Sequence, residues 1–463
     1  MTLQELGIAE VTAAEREKPV PFGVQAATGK VRPPYDASAV EVDDKKIQAR
    51  GNPKKHLAII PGLHPEIPGE AGWGIVFASN AKPEIVEAMT PLIEWRKQQV
   101  NNDIIFKVFS KGEGVEQDQS AVSWLSTKGV GLAPVDPENG VPYHLLLIGS
   151  PQEIPFEFQY TLDLQWSVGR LHFDTPEEYR AYADRVVAYE KNKIASAKTV
   201  AMWMAANGDL ATTLLCTDVG VPFFQKGLGK RQGFSLEAFF AAKATKENLR
   251  GILSGEKMQG GKPPALLFTG SHGLEVEMAN AAEQRERQGA LVTQEWRPGT
   301  AVGDEASFAG SDVPGDVDLT GTIQVLFACF GGGCPEMDNY PESGAASKQI
   351  APHAFVGRLP QRLLRQGALA VIGHVDRAWN FSFQSGTSLP QNQVLKGLLD
   401  GIMMGVPVGT ALDITNLQWG TLAAQLGMLA GSAAVPASLS NLVIARDDAR
   451  NYALFGDPSA RLH

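Results

Sequence analysis

The chain has 463 residues, of which 44% are hydrophobic and 20% are charged, and it contains 48 glycines and 29 prolines. This length and composition are typical of a globular protein with more than one folding unit, and no apolar run approaches the roughly 18 residues of a membrane helix. The formal net charge of −10 argues against nucleic acid as a partner, and three cysteines are too few for a disulfide framework.

Residues 1–54 are rich in proline, alanine and charged side chains and show no sustained period. We interpret them as an extended arm or leader that becomes ordered by docking on the rest of the protein. A pro-segment that masks the functional site is the alternative. The first twenty residues lack the basic stretch and apolar core of a secretory signal. Together with the few cysteines, this favours a cytoplasmic location.

After the arm, short apolar strands alternate with helical stretches. Strands are predicted at 56–63, 104–110, 143–150, 199–206, 264–273, 323–333 and 368–374. The clearest helix begins at Pro176, because Thr175 and Glu178 have the spacing of a capping box. Apolar strands separated by helices predict an α/β sandwich with mostly parallel sheets that are covered on both faces. We expect two subdomains, at 55–195 and 196–463, of which the second is the functional one.

Two of the predicted strands end in reactive side chains. The run "LLFTGSHG" delivers His272, and the run "VLFACFGGG" delivers Cys329. If these strands are neighbours, both side chains lie at one edge of the sheet. An imidazole beside a thiol can generate a thiolate nucleophile. The glycines let backbone amides approach a substrate carbonyl, so we expect the amides of Gly273 and Cys329 to stabilise an oxyanion.

The same residues carry a resemblance to a known family. "TGSHG" and "LFACFGGG" are similar to the paired motifs of the gingipain-type branch of the caspase-like cysteine peptidases, a group with caspases, legumains, clostripains, separase and bacterial CHAT domains. "YHLLLIGSPQEIPF", "SVGRLHFDTPEEYRAYADRVVAYE", "GALAVIGHVDRAW" and "YALFGDPSARL" extend the resemblance over about residues 56–463. The chain departs from the usual Gly-His-Gly by inserting Ser271. The resemblance implies a caspase-like fold with a first, gingipain-like subdomain.

The resemblance also implies roles for residues outside the dyad. An acid after the 199–206 strand would orient the histidine, and Asp209 is the best match, although a loop or helix-capping acid is the alternative. An acid at the base of the P1 pocket, which holds the residue before the cleaved bond, would select arginine or lysine. Asp218 lies near that spacing, and Asp376 is its rival. Trp379 resembles the tryptophan that lines this pocket.

The sequence therefore predicts a cysteine endopeptidase with Cys329 as nucleophile, His272 as base and Asp209 as the third residue. Its partners would be a protein or peptide substrate and a regulatory protein, with neither nucleic acid nor membrane. No cofactor is expected, and the lone Cys334 near the site gives no metal-ligand pattern. One alternative is a catalytically silent scaffold or ligand-gated protein-binding module. Another is a hydrolase using Ser271, for which the Gly-x-Ser-x-Gly elbow is missing.

Overall fold

The computed structural model describes residues 1–16, 18–34, 59–340, 347–384, 391–429 and 436–463. Its strands are β1 (Gly23–Gln25), β2 (Trp73–Phe77), β3 (Phe106–Phe109), β4 (His144–Ile148), β5 (Ser167–Leu171), β6 (Thr199–Met204), β7 (Ser235–Phe240), β8 (Leu266–Gly270), β9 (Gly273–Glu275), β10 (Leu291–Val292), β11 (Ser307–Phe308), β12 (Ile323–Phe327), β13 (Gly333–Cys334), β14 (Phe355–Val356), β15 (Ala370–His374) and β16 (Tyr452–Gly456). We call residues 1–34, described except for residue 17, the arm.

Besides short 3₁₀ segments and a π-helical turn at Cys216–Gly220, the described residues form α-helices that vary from single turns to a helix of 22 residues. They are α1 (Ala13–Arg16), α2 (Pro68–Ala71), α3 (Pro83–Ala88), α4 (Thr90–Val100), α5 (Ala121–Thr127), α6 (Phe156–Asp163), α7 (Pro176–Lys191), α8 (Leu210–Leu215), α9 (Val221–Gln225), α10 (Lys246–Ser254), α11 (Ala281–Arg287), α12 (Arg358–Arg365), α13 (Gln393–Met403), α14 (Val408–Leu429) and α15 (Pro436–Arg450). In these parts of the chain, no helix combines the length and the apolarity needed to cross a membrane.

One sheet runs through the described residues in the order β3-β2-β4-β5-β16-β15-β12-β8-β6-β7. All neighbouring pairs are parallel except β15 and β16, which are antiparallel. The carboxyl ends of β6, β8, β12 and β15 therefore share one edge of the sheet, opposite to the edge at which β2, β4 and β5 end. The predicted fold class is confirmed, since the sheet is mostly parallel and lies between helices. The division near residue 195 stays a prediction.

Alternate residues of the strands supply the cores on the two faces of the sheet. Ile75 and Leu146 belong to one apolar cluster, whereas Val76 and Leu145 belong to another with Trp124 of α5. This period of two is what a strand buried on both faces requires. Continuous apolar runs were therefore a sound signal for these strands.

Most predicted strands form within a few residues of the expected bounds, but the first prediction is wrong where it can be checked. Residues 56–58 lie outside the described residues, and Ile59 makes only an isolated bridge to Val135. Pro61 and Gly62 then turn the chain. The first strand of the ten-stranded sheet along the chain is instead β2, in which Gly74 allows close packing of Pro142.

The predicted capping box is present at the start of α7, where the carboxylate of Glu178 accepts a hydrogen bond from the Thr175 amide at 3.2 Å. The apolar face of this helix is fully buried through residues such as Tyr182 and Val186. The local sequence signal and the tertiary packing therefore agree, as predicted for this element.

Candidate active site

The register of the sheet places His272 and Cys329 side by side. Gly270 at the end of β8 pairs with Phe327 at the end of β12. Each reactive residue follows its strand end by two positions, so the two side chains leave the sheet at the same level. Both residues are fully buried.

The two ring nitrogens of His272 have different surroundings. Its Nε2 is 3.0 Å from Oδ2 of Asp209, without the alignment of a standard hydrogen bond. Its Nδ1 is buried and has no hydrogen-bond partner among the described residues. The rings of Trp296 and Phe22 flank the imidazole, at centroid distances of 5.9 Å and 6.3 Å. One nitrogen is thus held by a carboxylate while the other is available for proton transfer.

Asp209 has two functions in the structure. It caps the N-terminus of α8, because its carboxylate accepts hydrogen bonds from the Thr212 amide at 3.1 Å and hydroxyl at 2.8 Å. It also faces His272. Burial by itself would raise the pKa of Asp209, but the charge and contact of His272 and the hydrogen bonds of Thr212 outweigh it and lower the pKa to about 2. The carboxylate therefore stays ionised and can stabilise an imidazolium.

Cys329 is covered in this structure. Its Sγ is 3.7 Å from the carbonyl oxygen of Ala378, to which it can donate a weak hydrogen bond. Burial raises the pKa of the Cys329 thiol well above its usual range, and the negative charge of Glu275 raises it further. The thiol is therefore protonated while it remains covered, and activation requires exposure or proton transfer to a base.

The backbone amides of Gly273 and Cys329 converge on one acceptor. Both donate hydrogen bonds to the carbonyl oxygen of Phe22, at 2.8 Å from Gly273 and 3.2 Å from Cys329. A Cβ atom on Gly273 would overlap the backbone carbonyl of Cys329. Glycine is therefore required for the close approach that brings the two amides together.

The acceptor belongs to the arm, the segment expected from the sequence to dock on the rest of the protein. Phe22 is fully buried, and its ring packs against Phe327 at 4.9 Å and Phe383 at 6.1 Å between centroids. None of the three aromatic residues of this contact was predicted from the sequence. No local signal marked Phe22, because it lies in a segment without helical or strand periodicity.

Asp218 lies in a buried network rather than alone at the base of a pocket. Its carboxylate forms an ion pair with Arg16 of the arm and accepts a hydrogen bond from Nε2 of Gln384 at 2.7 Å. The basic side chain that pairs with Asp218 belongs to the arm itself, six positions before Phe22 in the chain. The role of Asp218 in selecting a substrate side chain stays a prediction.

Trp379 and Asp376 lie differently from their predicted roles. The Trp379 ring packs against Tyr340 at 5.0 Å, in an apolar cluster with Phe381 and Ile444, while its backbone forms a bridge with Pro21. The Asp376 carboxylate accepts a hydrogen bond from Asn339 at 2.7 Å and lines a different cavity. Burial raises its pKa. The contacts of the Phe22 ring described above involve neither side chain.

Ser271 extends the ladder between β8 and β12. Its amide donates to the Phe327 carbonyl at 3.2 Å, and its buried hydroxyl donates to the His272 carbonyl at 2.9 Å. The inserted serine thus fixes the backbone of the turn. A hydroxyl committed to a backbone carbonyl is not arranged as a nucleophile, which argues against the Ser271 hydrolase.

Cys334 lies in β13 and is buried. Its Sγ is 3.3 Å from the carbonyl oxygen of Pro335. Within the described residues, no group of three or more His, Cys, Asp and Glu side chains is arranged to hold a metal ion.

Comparison with known proteins gives distant structural likeness. No protein-family model and no curated protein matches the chain. A structure described as a protease matches 85% of this chain and 79% of its own, with a TM-score of 0.48 and 15% identity. The complex of the pro- and mature domains of Porphyromonas gingivalis RgpB aligns with 85% of this chain over 80% of its own length, with a TM-score of 0.45 and 13% sequence identity. The Saccharomyces cerevisiae separase–securin complex matches 68% of this chain and 15% of its own, with a TM-score of 0.33 and 13% identity. The chain differs from all three at most aligned positions.

Replacing Asp209 by asparagine will separate its two functions. Asparagine and aspartate are equally good N-cap residues, so Asp209→Asn should change the free energy of unfolding little. If the chain hydrolyses peptides as proposed below, loss of the carboxylate facing His272 should lower kcat/KM by about 10²–10⁴-fold. Asp209→Ala serves as the comparison, because it removes both the charge and the cap and should also lower the Tm. Equal activity of Asp209→Asn and the parent chain would contradict the assignment.

Proposed function

We propose that the chain is a cysteine endopeptidase in which Cys329 attacks the peptide carbonyl. His272 accepts the thiol proton and later protonates the leaving amine, and Asp209 holds and stabilises the imidazolium. The substrate is a protein or peptide, and the reaction needs no cofactor. The cytoplasmic location and the regulatory protein partner stay predictions.

One observation carries this proposal. The amides of Gly273 and Cys329 donate to a single peptide carbonyl, at 2.8 Å and 3.2 Å, directly beside the buried thiol. Two donors at this range are the arrangement that stabilises the oxyanion of a tetrahedral intermediate. A structural role alone would not need an amide of the thiol-bearing residue itself to bind that carbonyl.

The histidine is arranged for proton transfer in both directions. Its Nδ1 has no hydrogen-bond partner among the described residues, and its Nε2 faces Asp209. Because the pKa of Asp209 is lowered to about 2, the carboxylate stays charged at every pH at which the thiol could react. The imidazolium formed after proton transfer is therefore stabilised by an adjacent negative charge.

The predicted preference for arginine or lysine at P1 depends on Asp218. Its carboxylate does bind a basic side chain, that of Arg16. The arm would have to release Asp218 before a substrate side chain could pair with it. Activity toward peptides with basic, aromatic and acidic P1 residues is therefore the relevant comparison.

The test is covalent labelling of the full chain by peptidyl acyloxymethyl ketones with Phe, Arg or Asp at P1, followed by peptide mapping. The probes are applied to the parent chain and to the variant Arg16→Ala/Arg32→Ala, which lacks the two ion pairs between the arm and Asp218 and Glu275. Arg180→Ala is the matched control, because Arg180 is exposed and, among the described residues, forms its ion pair with Asp184 of the same helix, α7. We expect modification at Cys329, fastest in the double variant.

Iodoacetamide distinguishes the enzyme from a scaffold. It is small and needs no peptide-binding site, so it should alkylate Cys329 whenever the arm is displaced. If iodoacetamide reacts at Cys329 but no peptidyl probe does, the endopeptidase proposal is wrong. The catalytically silent binding module would then be the better explanation.

A further inference from the structure

The arm passes through the site as an extended peptide. The Val20 amide donates to Oδ1 of Asn380 at 2.8 Å, and the Asn380 amide donates to the Val20 carbonyl at 3.3 Å. The Phe22 amide then donates to the Ala378 carbonyl at 3.1 Å. These bonds pair residues 20–22 antiparallel to the segment after β15, which also has a bridge between Pro21 and Trp379. Backbone pairing of this kind binds an extended chain without regard to its side chains.

Beyond Phe22 the chain continues on the other side of the thiol. β1 (Gly23–Gln25) pairs in parallel with β9, with Gly23 opposite Gly273. Arg32 forms an ion pair with Glu275, at 2.7 Å between Nη2 and Oε2. The peptide bond between Phe22 and Gly23 is thus the one that spans the thiol and the two amide donors.

We propose that the arm occupies this site as a substrate, so that the enzyme cleaves after a large aromatic residue and its own Phe22–Gly23 bond is the first one cleaved. This inference rests on the proposed function and names the substrate class of the same site. It replaces the basic P1 preference implied by resemblance with a preference read from the side chain that fills the pocket.

The chemistry of the pocket fits an aromatic side chain. The Phe22 ring is fully buried, in an edge-to-face contact with Phe327 and a second contact with Phe383. Such pairs stabilise by about 0.5–1.5 kcal/mol beyond the burial of apolar area. A charged side chain at this position would lose its hydration against two aromatic rings. Asp218, the acid expected to select a basic residue, pairs with Arg16 of the arm and not with the residue whose carbonyl lies between the two amide donors.

The residue after the bond is restricted as well. A Cβ atom on Gly23 would overlap the carboxylate of Glu275 and lie 3.4 Å from Sγ of Cys329. A larger residue would therefore have to displace Glu275. Glycine brings the backbone against the thiol without this cost, so the site selects a small residue on the leaving side.

The cleavage step balances with water as the only co-reactant. His272 takes the proton of the Cys329 thiol, and Sγ forms a bond to the carbonyl carbon of Phe22. The carbon–nitrogen bond to Gly23 breaks, and the imidazolium gives its proton to the departing amine. Water then hydrolyses the thioester, which leaves the carboxylate of Phe22 and restores the thiol.

The new N-terminus would remain docked after cleavage. Val24 is fully buried in an apolar cluster with Leu274 and Val292, and the Ala26 amide donates to the Glu275 carbonyl at 2.9 Å. The described part of residues 1–22 is held by other contacts, among them the ion pair of Arg16 with Asp218 and the pairing of residues 20–22 with the segment after β15. Their release would uncover the thiol and the aromatic pocket together.

The experiment compares two peptides with the arm's own residues around the bond, Val-Pro-Phe-Gly and Val-Pro-Arg-Gly, each with the same flanking fluorophore and quencher. Both are given to the full parent chain, to Arg16→Ala/Arg32→Ala and to the control Arg180→Ala. We expect kcat/KM for the Phe peptide to exceed that for the Arg peptide by about 100-fold or more in every active form. Arg16→Ala/Arg32→Ala should be active without a lag. The parent chain should become active as a fragment starting at Gly23 accumulates in the mass spectrum.

The outcomes separate this inference from the proposed function. Equal or faster cleavage of the Arg peptide, with labelling at Cys329, overturns the aromatic preference and leaves the endopeptidase intact. A new N-terminus at a residue other than Gly23, or a parent chain that stays intact while it turns over the Phe peptide, overturns the assignment of the arm as substrate. No cleavage of either peptide and no labelling of Cys329 by any peptidyl probe overturns the proposed function itself.

Discussion

Replacing Cys329 by serine is expected to lower kcat/KM for peptide hydrolysis by about 10⁴-fold or more. The hydroxyl is smaller than the thiol and of similar shape, so the buried site should still form. It is a much weaker acid, however, and His272 would have to remove its proton from a site built for sulfur. The release of a fragment starting at Gly23 should stop in the same variant. Steady-state kinetics and intact-mass measurements on the full chain test both statements.

Cys334→Ser is the matched control for this substitution. Cys334 follows the same glycine-rich turn and is also fully buried, and its Sγ contacts the backbone carbonyl of Pro335. The same exchange of sulfur for oxygen at this position should leave kcat/KM within about threefold, in the range of ordinary indirect effects. If both variants lost activity equally, with an equal fall in Tm, the loss at Cys329 would be one of folding rather than of the nucleophile.

The edge of the sheet that brings His272 and Cys329 together could be predicted because its signal is local in the sequence. His272 and Cys329 each follow an apolar strand run at once, and parallel neighbours bring their carboxyl ends together. Asp209 was expected after the 199–206 strand because of the family resemblance, and its carboxylate lies 3.0 Å from Nε2 of His272. Its capping of α8 and its contact with His272 were treated as alternatives, but one carboxylate does both.

The contents of the pocket could not be predicted because they depend on contacts between distant parts of the chain. Phe22 meets Phe327 and Phe383 only after the arm has crossed the site. Nothing in a proline- and alanine-rich segment reveals which residue will be buried. The sequence could therefore suggest a masking segment only as an alternative, and could identify neither the residue that fills the pocket nor the arginine that binds Asp218.

The substitution Gly273→Ala should cause the second large loss. A Cβ atom at this position would overlap the carbonyl oxygen and carbon of Cys329, which are backbone atoms and cannot move aside as a flexible side chain could. The turn must open, and the amide of residue 273 must then move out of hydrogen-bonding distance of the site where the Phe22 carbonyl oxygen now lies. Removing one oxyanion donor lowers kcat by about 10²–10³-fold, and we expect at least this loss.

The cause of the activity loss in Gly273→Ala is identified by comparing the rate of Cys329 alkylation with the rate of peptide hydrolysis. The substitution is made in the Arg16→Ala/Arg32→Ala variant. If the Gly273 amide stabilises the oxyanion, Gly273→Ala should abolish peptide hydrolysis there, while iodoacetamide still reacts with Cys329 at a similar rate. Alkylation needs no oxyanion donors. Gly315→Ala is the control, since a Cβ atom there meets only the end of the Arg362 side chain, at 3.6 Å. A parallel loss of alkylation and hydrolysis would mean that the methyl group disrupts Cys329 itself. Retention of full hydrolysis would exclude the Gly273 amide as an oxyanion donor, and with it the observation on which the proposed function depends.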